Sequence, residues 1–232
     1  MNFVDPTGIQ LVPNKTIIDA PASSALAYIN YQYKDDDMAQ IEQTKKLPVT
    51  LLQDPVYLKR LDCLTTTLPE ETKTVSVYSL GERDALVWGN NKYLILAPTI
   101  LLKKGTTSEN LSTELLNHRL TLYYLSAEGD EDANTLKLYL RYEISGIGGS
   151  STEETDDKES WASDYNVRYT NVSHVNLQPI ISMYKSTHSG SEPEKVTVEY
   201  EYNNSTSSIP TIAKKQTKTV TYNLYTETSS NN

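Results

Sequence analysis

Cysteine and phenylalanine are almost missing from the chain, with one of each among 232 residues, against 17 tyrosines. A single cysteine excludes an intramolecular disulfide, and at this length a hydrophobic core can hold a fold together without one. Cys63 lies on the apolar side of an alternating segment, and the histidines His118, His174 and His188 stand in no recognisable relation to it. Because a cysteine nucleophile needs a nearby base, we interpret Cys63 as a small buried hydrophobic residue.

Long apolar segments and large clusters of basic residues are missing as well. No window approaches the roughly 18 to 20 apolar residues of a membrane span, and the first part of the chain lacks the cationic and apolar regions of a signal peptide. The net charge is −9, from 30 acidic and 21 basic residues, and the basic pairs that stand out are Lys45-Lys46, Lys103-Lys104 and Lys214-Lys215. Such sparse positive charge disfavours direct binding of nucleic acid. The chain, if complete, is expected to be made and kept in a cytosol.

What the sequence does contain is alternation of apolar and polar residues. In the segment 194–203, for example, valines and tyrosines alternate with lysine, threonine and glutamate, which places an apolar row on one face of a strand. The same pattern predicts strands over 9–18, 25–33, 47–53, 56–66, 72–80, 119–125, 135–144, 164–172, 175–184 and 216–226. Residues 85–88 and 92–96 flank Gly89-Asn90-Asn91, which predicts a tight hairpin. One helix is predicted over 106–118, with Ser108 as its N-cap.

About eleven short strands with one small helix indicate an all-β protein, an antiparallel β-sandwich with the jelly roll as the leading form. Immunoglobulin-like and lectin-like sandwiches share the same signals. We predict a jelly-roll-like sandwich over 1–145 and a flexible acidic Gly/Ser loop over 146–162. Further strands follow over 163–227, as a subdomain or as completion of the sheet, before a disordered tail at 228–232.

No segment carries a catalytic, cofactor-binding or metal-binding motif that holds up. The segment from Asp130 to Asn134 begins like a calcium loop, but Thr135 stands where the loop needs glycine and Arg141 where it needs glutamate, so we interpret it as a hairpin tip. The acidic run Asp35-Asp36-Asp37 is likewise interpreted as a loop. Zinc spacings, phosphate loops and nucleophile elbows are absent from the sequence. We therefore expect no enzyme, no cofactor and no metal.

Exposed aromatic side chains are the remaining candidates for binding. Trp88 is expected to face the core together with Leu86, because the two share one side of a short strand. Trp161, in the acidic loop, is either a loop anchor or a contact with a partner. A carbohydrate-binding module would present Trp161, or Tyr165 and Tyr169, as an exposed aromatic platform.

The segment from Ile9 to Ile144 resembles the jelly-roll capsid and penton-base proteins of icosahedral viruses that enclose an internal membrane. The features that carry the resemblance are strand number, alternation and the missing basic arm. The resemblance implies a virion structural protein made in the host cytoplasm, which acts by contacts with itself and with other virion proteins. It implies no direct contact with nucleic acid, and it adds the virion membrane, its proteins or a glycan as further partners. The alternative is a carbohydrate-binding or adhesive sandwich of a phage tail or cell surface. A glycoside-active jelly roll with two close carboxylates is a third, weaker hypothesis.

Overall fold

In the part of the chain that the structure describes, the fold is mostly β, as the alternation predicts, with four short helices rather than the one predicted. The computed structural model describes residues 2–5, 7–17, 26–39, 41–81, 85–89, 91–126, 134–147, 164–202 and 216–225. The helices are α1 (Asp35–Met38), α2 (Ile41–Thr44), α3 (Leu111–Leu115) and α4 (Gln178–Thr187), with a single 3-10 turn at Glu71–Lys73. None of the helices in these ranges is long and apolar enough to cross a membrane.

A small sheet forms at the amino-terminal end of the chain. It contains β1 (Phe3–Val4), β2 (Gln10–Pro13), β4 (Tyr31–Gln32) and β5 (Lys46–Leu51), in the order β1-β2-β5-β4. Strand β5 alternates strictly, so that Leu47, Val49 and Leu51 are buried in a cluster with Leu11 and Ile41. A separate two-stranded ribbon pairs β3 (Ala27–Tyr28) with β6 (Val56–Tyr57).

Three further groups of strands surround the main core. A four-stranded sheet contains β7 (Lys59–Arg60), β9 (Ala85–Trp88), β10 (Tyr93–Leu96) and β15 (Ser173–Asn176), in the order β7-β15-β10-β9. A two-stranded sheet pairs β11 (Thr99–Lys103) with β14 (Tyr165–Thr170). A five-stranded sheet contains β8 (Asp62–Leu64), β12 (His118–Tyr123), β13 (Thr135–Ile144), β16 (Lys195–Tyr202) and β17 (Gln216–Asn223), in the order β17-β16-β13-β12-β8.

One hydrophobic cluster joins these sheets into a sandwich-like body. Alternate residues of β13 and β16 are almost completely buried in it, Leu138 and Val198 among them, and they meet Leu94 of β10 and Tyr184 of α4. Because each sheet and α4 give one apolar face to the same cluster, the all-β, sandwich-like architecture is confirmed. Strands from both sides of residues 146–162 share the five-stranded sheet. The predicted domain division stays a prediction, and most of 146–162 and all of 228–232 lie outside the described residues.

Strand direction differs in part from the antiparallel arrangement that the sequence predicts. The described pairs are mostly antiparallel, including the predicted hairpins β9–β10 and β12–β13. Four are parallel: β2 with β5, β8 with β12, β7 with β15 and β13 with β16. Parallel neighbours need long connections, and a period-two pattern carries no information about them.

The predicted strand over 175–184 is wrong, because this segment leaves β15 and continues as α4. Leu177, Ile180, Ile181 and Tyr184 are all buried, and they follow the spacing of one helical face. Pro179 lies in the first turn, where a helix tolerates the missing N–H. The run at Asp35 is also helical, as α1, rather than a loop. The predicted helix over 106–118 is present as the five residues of α3, with Asn110 rather than Ser108 as its N-cap.

Tyrosine fills interior positions in this fold. Tyr124, Tyr142 and Tyr184 are among the largest fully buried side chains. Buried hydroxyl groups are matched to backbone acceptors where the sheets meet: the Tyr200 hydroxyl donates to Leu80 O at 2.6 Å, and the Tyr222 hydroxyl to Gly81 O at 3.2 Å. The abundance of tyrosine therefore reflects sheets with hydrogen-bonded apolar interiors.

Candidate functional site

His118, at the start of β12, forms a chain of side-chain hydrogen bonds with an acid and a tyrosine. Its Nε2 donates to Glu114 Oε1 at 2.9 Å, and its Nδ1 shares a hydrogen bond of 2.5 Å with the Tyr142 hydroxyl. Glu114 Oε1 also accepts from the backbone N–H of Lys103 at 2.9 Å. The set Glu114, His118 and Tyr142 thus links α3 to β11, β12 and β13, in the part of the chain that the structure describes.

An acid, an imidazole and a hydroxyl in a row are also the components of acid–base catalysis, but here the hydroxyl is out of reach of a substrate. Tyr142 is 1% exposed, and burial raises the pKa of its hydroxyl well above the usual value. A general acid or base must lie within hydrogen-bonding distance of the reacting group. We therefore assign this row to the packing of α3 against the sheet.

A second polar cluster lies on the outer face of β13 and β16. Arg141 Nη2 is 2.9 Å from Glu199 Oε1, Lys137 Nζ is 3.2 Å from Glu199 Oε2, and Thr74 Oγ1 donates to Glu201 Oε1 at 2.9 Å. The acids and bases of this cluster neutralise one another at short range. It therefore offers a ligand no unbalanced charge.

Cys63 packs against the main hydrophobic cluster from β8. Burial raises the pKa of its thiol to about 12, so the thiolate needed for nucleophilic attack does not form near neutral pH. This geometry agrees with the interpretation of Cys63 as a structural residue.

A candidate binding cavity lies where the chain crosses from one sheet to the other. Leu61 separates β7, in the four-stranded sheet, from β8, in the five-stranded sheet, and its N–H donates to His174 O at 2.7 Å. A cavity of about 200 Å³ opens beside this crossing. The residues around it come from β7, β8, the start of β12 and the end of β14: Lys59, Arg60, Leu61, Asp62, His118, Arg119, Leu120 and Asn171.

The charged residues that line the cavity are three cations, Lys59, Arg60 and Arg119, and one acid, Asp62, and Glu143 lies opposite Arg119 in the pairing of β12 with β13. Lys59, Arg60 and Arg119 are exposed, and among the described residues none of them forms an ion pair within 4 Å. Nearby, burial and the charge of Arg60 lower the pKa of His174, which favours the neutral imidazole. In a protein of net charge −9, three cations at one cavity that form no ion pair within 4 Å among the described residues favour an anionic ligand.

This site was not predicted from the sequence. The basic pairs that stand out in the sequence lie elsewhere, and the pair Lys59-Arg60 was not among them. Arg119 is distant in sequence and reaches the cavity because β8 pairs in parallel with β12, with Asp62 opposite Thr121. The only available signal was the short pair itself, which the alternating pattern around it concealed.

The aromatic candidates from the sequence do not form a platform in the described structure. Trp88 faces away from the core, because Ala85 and Val87 are the β9 residues that pack against the main cluster, while Leu86 is 55% exposed. The predicted core orientation of Trp88 and Leu86 is therefore wrong. Tyr165 is buried and Tyr169 packs on the core. Trp161 and the segment 130–133 lie outside the described residues.

Metal ligands are not grouped in the described ranges, where no set of three or more histidine, cysteine or acidic side chains is placed to hold a metal ion. His174 is buried on β15 with its ring edge against Tyr93. His188 stacks on Tyr184 at 3.9 Å, beyond the end of α4. The three histidines thus serve three different parts of the fold.

Comparison with known proteins places the fold among bacterial proteins. No protein-family model and no curated protein matches the chain. A "putative lipoprotein" from Bacteroides fragilis superimposes with a TM-score of 0.69 at 20% identity, over 97% of this chain and 92% of that one. A protein of unknown function, DUF1344, from Bacteroides vulgatus gives 0.56 at 12% identity, over 98% and 84% of the two chains. A NigD-like immunity protein from Bacteroides caccae gives 0.50 at 12% identity, over 91% and 84%.

These matches overturn the viral interpretation. The resemblance to jelly-roll capsid and penton-base proteins is wrong, because the structures that share the fold over nearly the whole chain are bacterial. The predicted role as a virion structural protein and the predicted location in a virion are wrong for the same reason. Strand number and alternation misled here because they are common to many β-sandwiches. At these identities the matches establish a shared fold.

Proposed function

We propose that the chain is a non-enzymatic binding protein of a bacterial cell envelope, and that its ligand sits in the cavity between β7, β8 and β12. The observation that carries the proposal is the cluster of Lys59, Arg60 and Arg119 around that cavity, without ion-pair partners among the described residues. The fold shared with a "putative lipoprotein" and with a NigD-like immunity protein supports the envelope and a binding role.

A non-enzymatic role is supported by the state of the groups that could do chemistry. The Tyr142 hydroxyl is buried in the core, and the pKa of the Cys63 thiol is raised to about 12. The polar residues around the cavity are three cations, one carboxylate, the Asn171 amide and His118, whose ring nitrogens are both engaged by Tyr142 and Glu114. This set suits recognition of charge.

Location in the cell tests the first half of the proposal. The full-length gene, with an epitope tag at its carboxyl end, is expressed in a Bacteroides host, and the soluble and envelope fractions are compared. We expect the protein in the envelope fraction. Recovery with a cytosolic marker enzyme would contradict the envelope assignment.

Contact at the cavity tests the second half. A photoreactive amino acid replaces Asp62, which lines the cavity, and in a control protein it replaces Glu109, which is exposed outside the cavity. We expect a crosslinked adduct in cells from position 62 alone. Equal adducts from both positions, or adducts from position 109 alone, would refute the cavity as the binding site.

Self-association, which the sequence analysis expected, stays a prediction. The mass of the purified protein, measured by light scattering across concentration, tests it. A monomer at every concentration would contradict it and leave the binding role as proposed.

A further inference from the structure

The charge of the cavity indicates what kind of anion it holds. Lys59, Arg60 and Arg119 contribute three positive charges and Asp62 one negative charge, which leaves a balance of +2. His118 also lines the cavity, but both of its ring nitrogens are engaged, by Tyr142 and Glu114. A balance of +2 is matched by a phosphate monoester, which carries a charge of about −1.5 to −2 near neutral pH. A single carboxylate, with a charge of −1, would balance only half of this positive charge.

The size of the cavity sets a second limit. Its volume is about 200 Å³. The five heavy atoms of a phosphate group fit within this volume, together with the first atoms of the group that carries it. Whole drug-sized ligands fill cavities of about 300 to 1,000 Å³. The cavity therefore suits one end of a ligand.

The donors around the cavity match phosphate oxygens. The guanidinium groups of Arg60 and Arg119 can each present two parallel N–H donors, and Lys59 adds a point charge. Asn171 is 8% exposed, and its Oδ1 accepts from Ser173 Oγ at 2.7 Å, which leaves the amide NH₂ as the remaining polar group of this side chain. Asp62 is an acceptor for a hydroxyl or N–H group beside the phosphate.

We propose that this cavity is a phosphate-binding site that holds the phosphate monoester group of a larger ligand, with Arg60, Arg119 and Lys59 as its cationic donors. This inference rests on the proposed function, because it names the chemistry of the ligand at the same cavity. The phosphate belongs either to a soluble compound or to a lipid headgroup, and the experiment separates these two sources.

Calorimetric titration at low ionic strength tests the site directly. The probes are inorganic phosphate, glycerol 3-phosphate and acetate, and two kinds of vesicle, phosphatidylcholine with and without phosphatidic acid. We expect phosphate and glycerol 3-phosphate to bind about tenfold or more tightly than acetate. Binding to phosphatidic acid vesicles alone would identify a lipid source, whereas binding to glycerol 3-phosphate without the vesicles would identify a soluble one.

Variants tie the binding to the cavity. Arg60→Gln and Arg119→Gln should each weaken phosphate binding about tenfold, which corresponds to about 1.4 kcal/mol, because each removes one charged donor. Lys104→Gln makes the same change of charge on an exposed turn outside the cavity, and it should leave the affinity within about twofold. Lys59→Gln provides a third cavity variant if an arginine variant fails to fold.

Two results would overturn the phosphate assignment. One is equal affinity for acetate and phosphate, and the other is unchanged phosphate affinity in all three cavity variants. If position 62 crosslinks in cells while phosphate does not bind, the binding function stands and the phosphate chemistry fails. If phosphate binds through Arg60 and Arg119 while the protein fractionates as cytosolic, the phosphate site stands and the envelope assignment fails.

Discussion

Replacing Glu114 by glutamine should destabilise the protein at neutral pH and much less at acid pH. The Glu114 side chain is 11% exposed, and its Oε1 accepts hydrogen bonds from His118 Nε2 and from the backbone N–H of Lys103, both at 2.9 Å. Burial alone would raise the pKa of this carboxyl group, but the hydrogen bonds from His118 and Lys103 outweigh it and leave the pKa lowered. The folded state therefore favours the carboxylate.

The size of the effect follows from these two hydrogen bonds. Bonds to a charged acceptor contribute about 1.5 to 3 kcal/mol, against about 1 kcal/mol for neutral pairs. The Glu114→Gln variant keeps the shape of the side chain but loses the charge, so we expect a loss of about 1 to 2 kcal/mol in the free energy of unfolding at pH 7. Because the pKa of Glu114 is lowered in the folded state, its contribution is complete above the unfolded pKa and disappears as the pH falls through the folded pKa.

Urea unfolding followed by circular dichroism, at pH 7 and at about pH 3.5, measures both quantities. The difference between wild type and Glu114→Gln should shrink on acidification. Glu109→Gln is the matched control, since this residue is exposed just before α3 and should change the free energy of unfolding by less than about 0.5 kcal/mol. A gap between wild type and Glu114→Gln that is equal at both pH values would refute the assignment of the stabilisation to the Glu114 carboxylate.

Three further outcomes are expected from buried groups. Cys63 is partly buried and the pKa of its thiol is raised to about 12, so the thiol should react with Ellman's reagent at pH 8 much more slowly in the native protein than in guanidinium; equally rapid reaction in both states would contradict the raised pKa. The pKa of His174 is lowered, mainly by burial and also by the charge of Arg60. As the pH falls, the unfolded state therefore binds a proton before the folded state does, and the free energy of unfolding should decrease between about pH 7 and pH 5. His174→Gln should reduce that decrease, as measured by urea unfolding. Leu138→Ala, at a side chain that is 0% exposed, should cost about 2 to 5 kcal/mol, whereas Leu116→Ala, at 84% exposed, should cost less than about 0.5 kcal/mol.

Much of the strand pattern could be predicted because alternation reports which face of a strand is buried. The predicted strand 135–144 coincides with β13, and its even-numbered residues are buried in the core. The hairpin at Gly89 is also as predicted, with φ of 69° at Gly89 and 57° at Asn91, values that suit glycine and asparagine. These features depend on residues close together in sequence.

Features that depend on two periodicities at once were harder to predict. The sequence predicts a strand where α4 lies, because Val175 and Leu177 continue the alternation of β15. The buried residues from Leu177 to Tyr184 nevertheless follow helical spacing, and Pro179 lies in the first turn of that helix. The orientation of Trp88 failed for a different reason. On a four-residue edge strand, either face satisfies the pattern, and only packing against the rest of the core selects Ala85 and Val87.

The candidate site was beyond sequence reasoning because it depends on a crossing between sheets. Arg60 is fixed by the pairing of β7 with β15, and Asp62, two residues later, by the pairing of β8 with β12, which also positions Arg119. Leu61 between them is 3% exposed and packs in the main core, so it lies at the junction of the two sheets and also lines the cavity. The backbone positions of the three cations are therefore set by strand pairing, which brings like charges to one cavity. A bound anion lowers the repulsion among these charges, and this is why we expect the cluster to bind an anion.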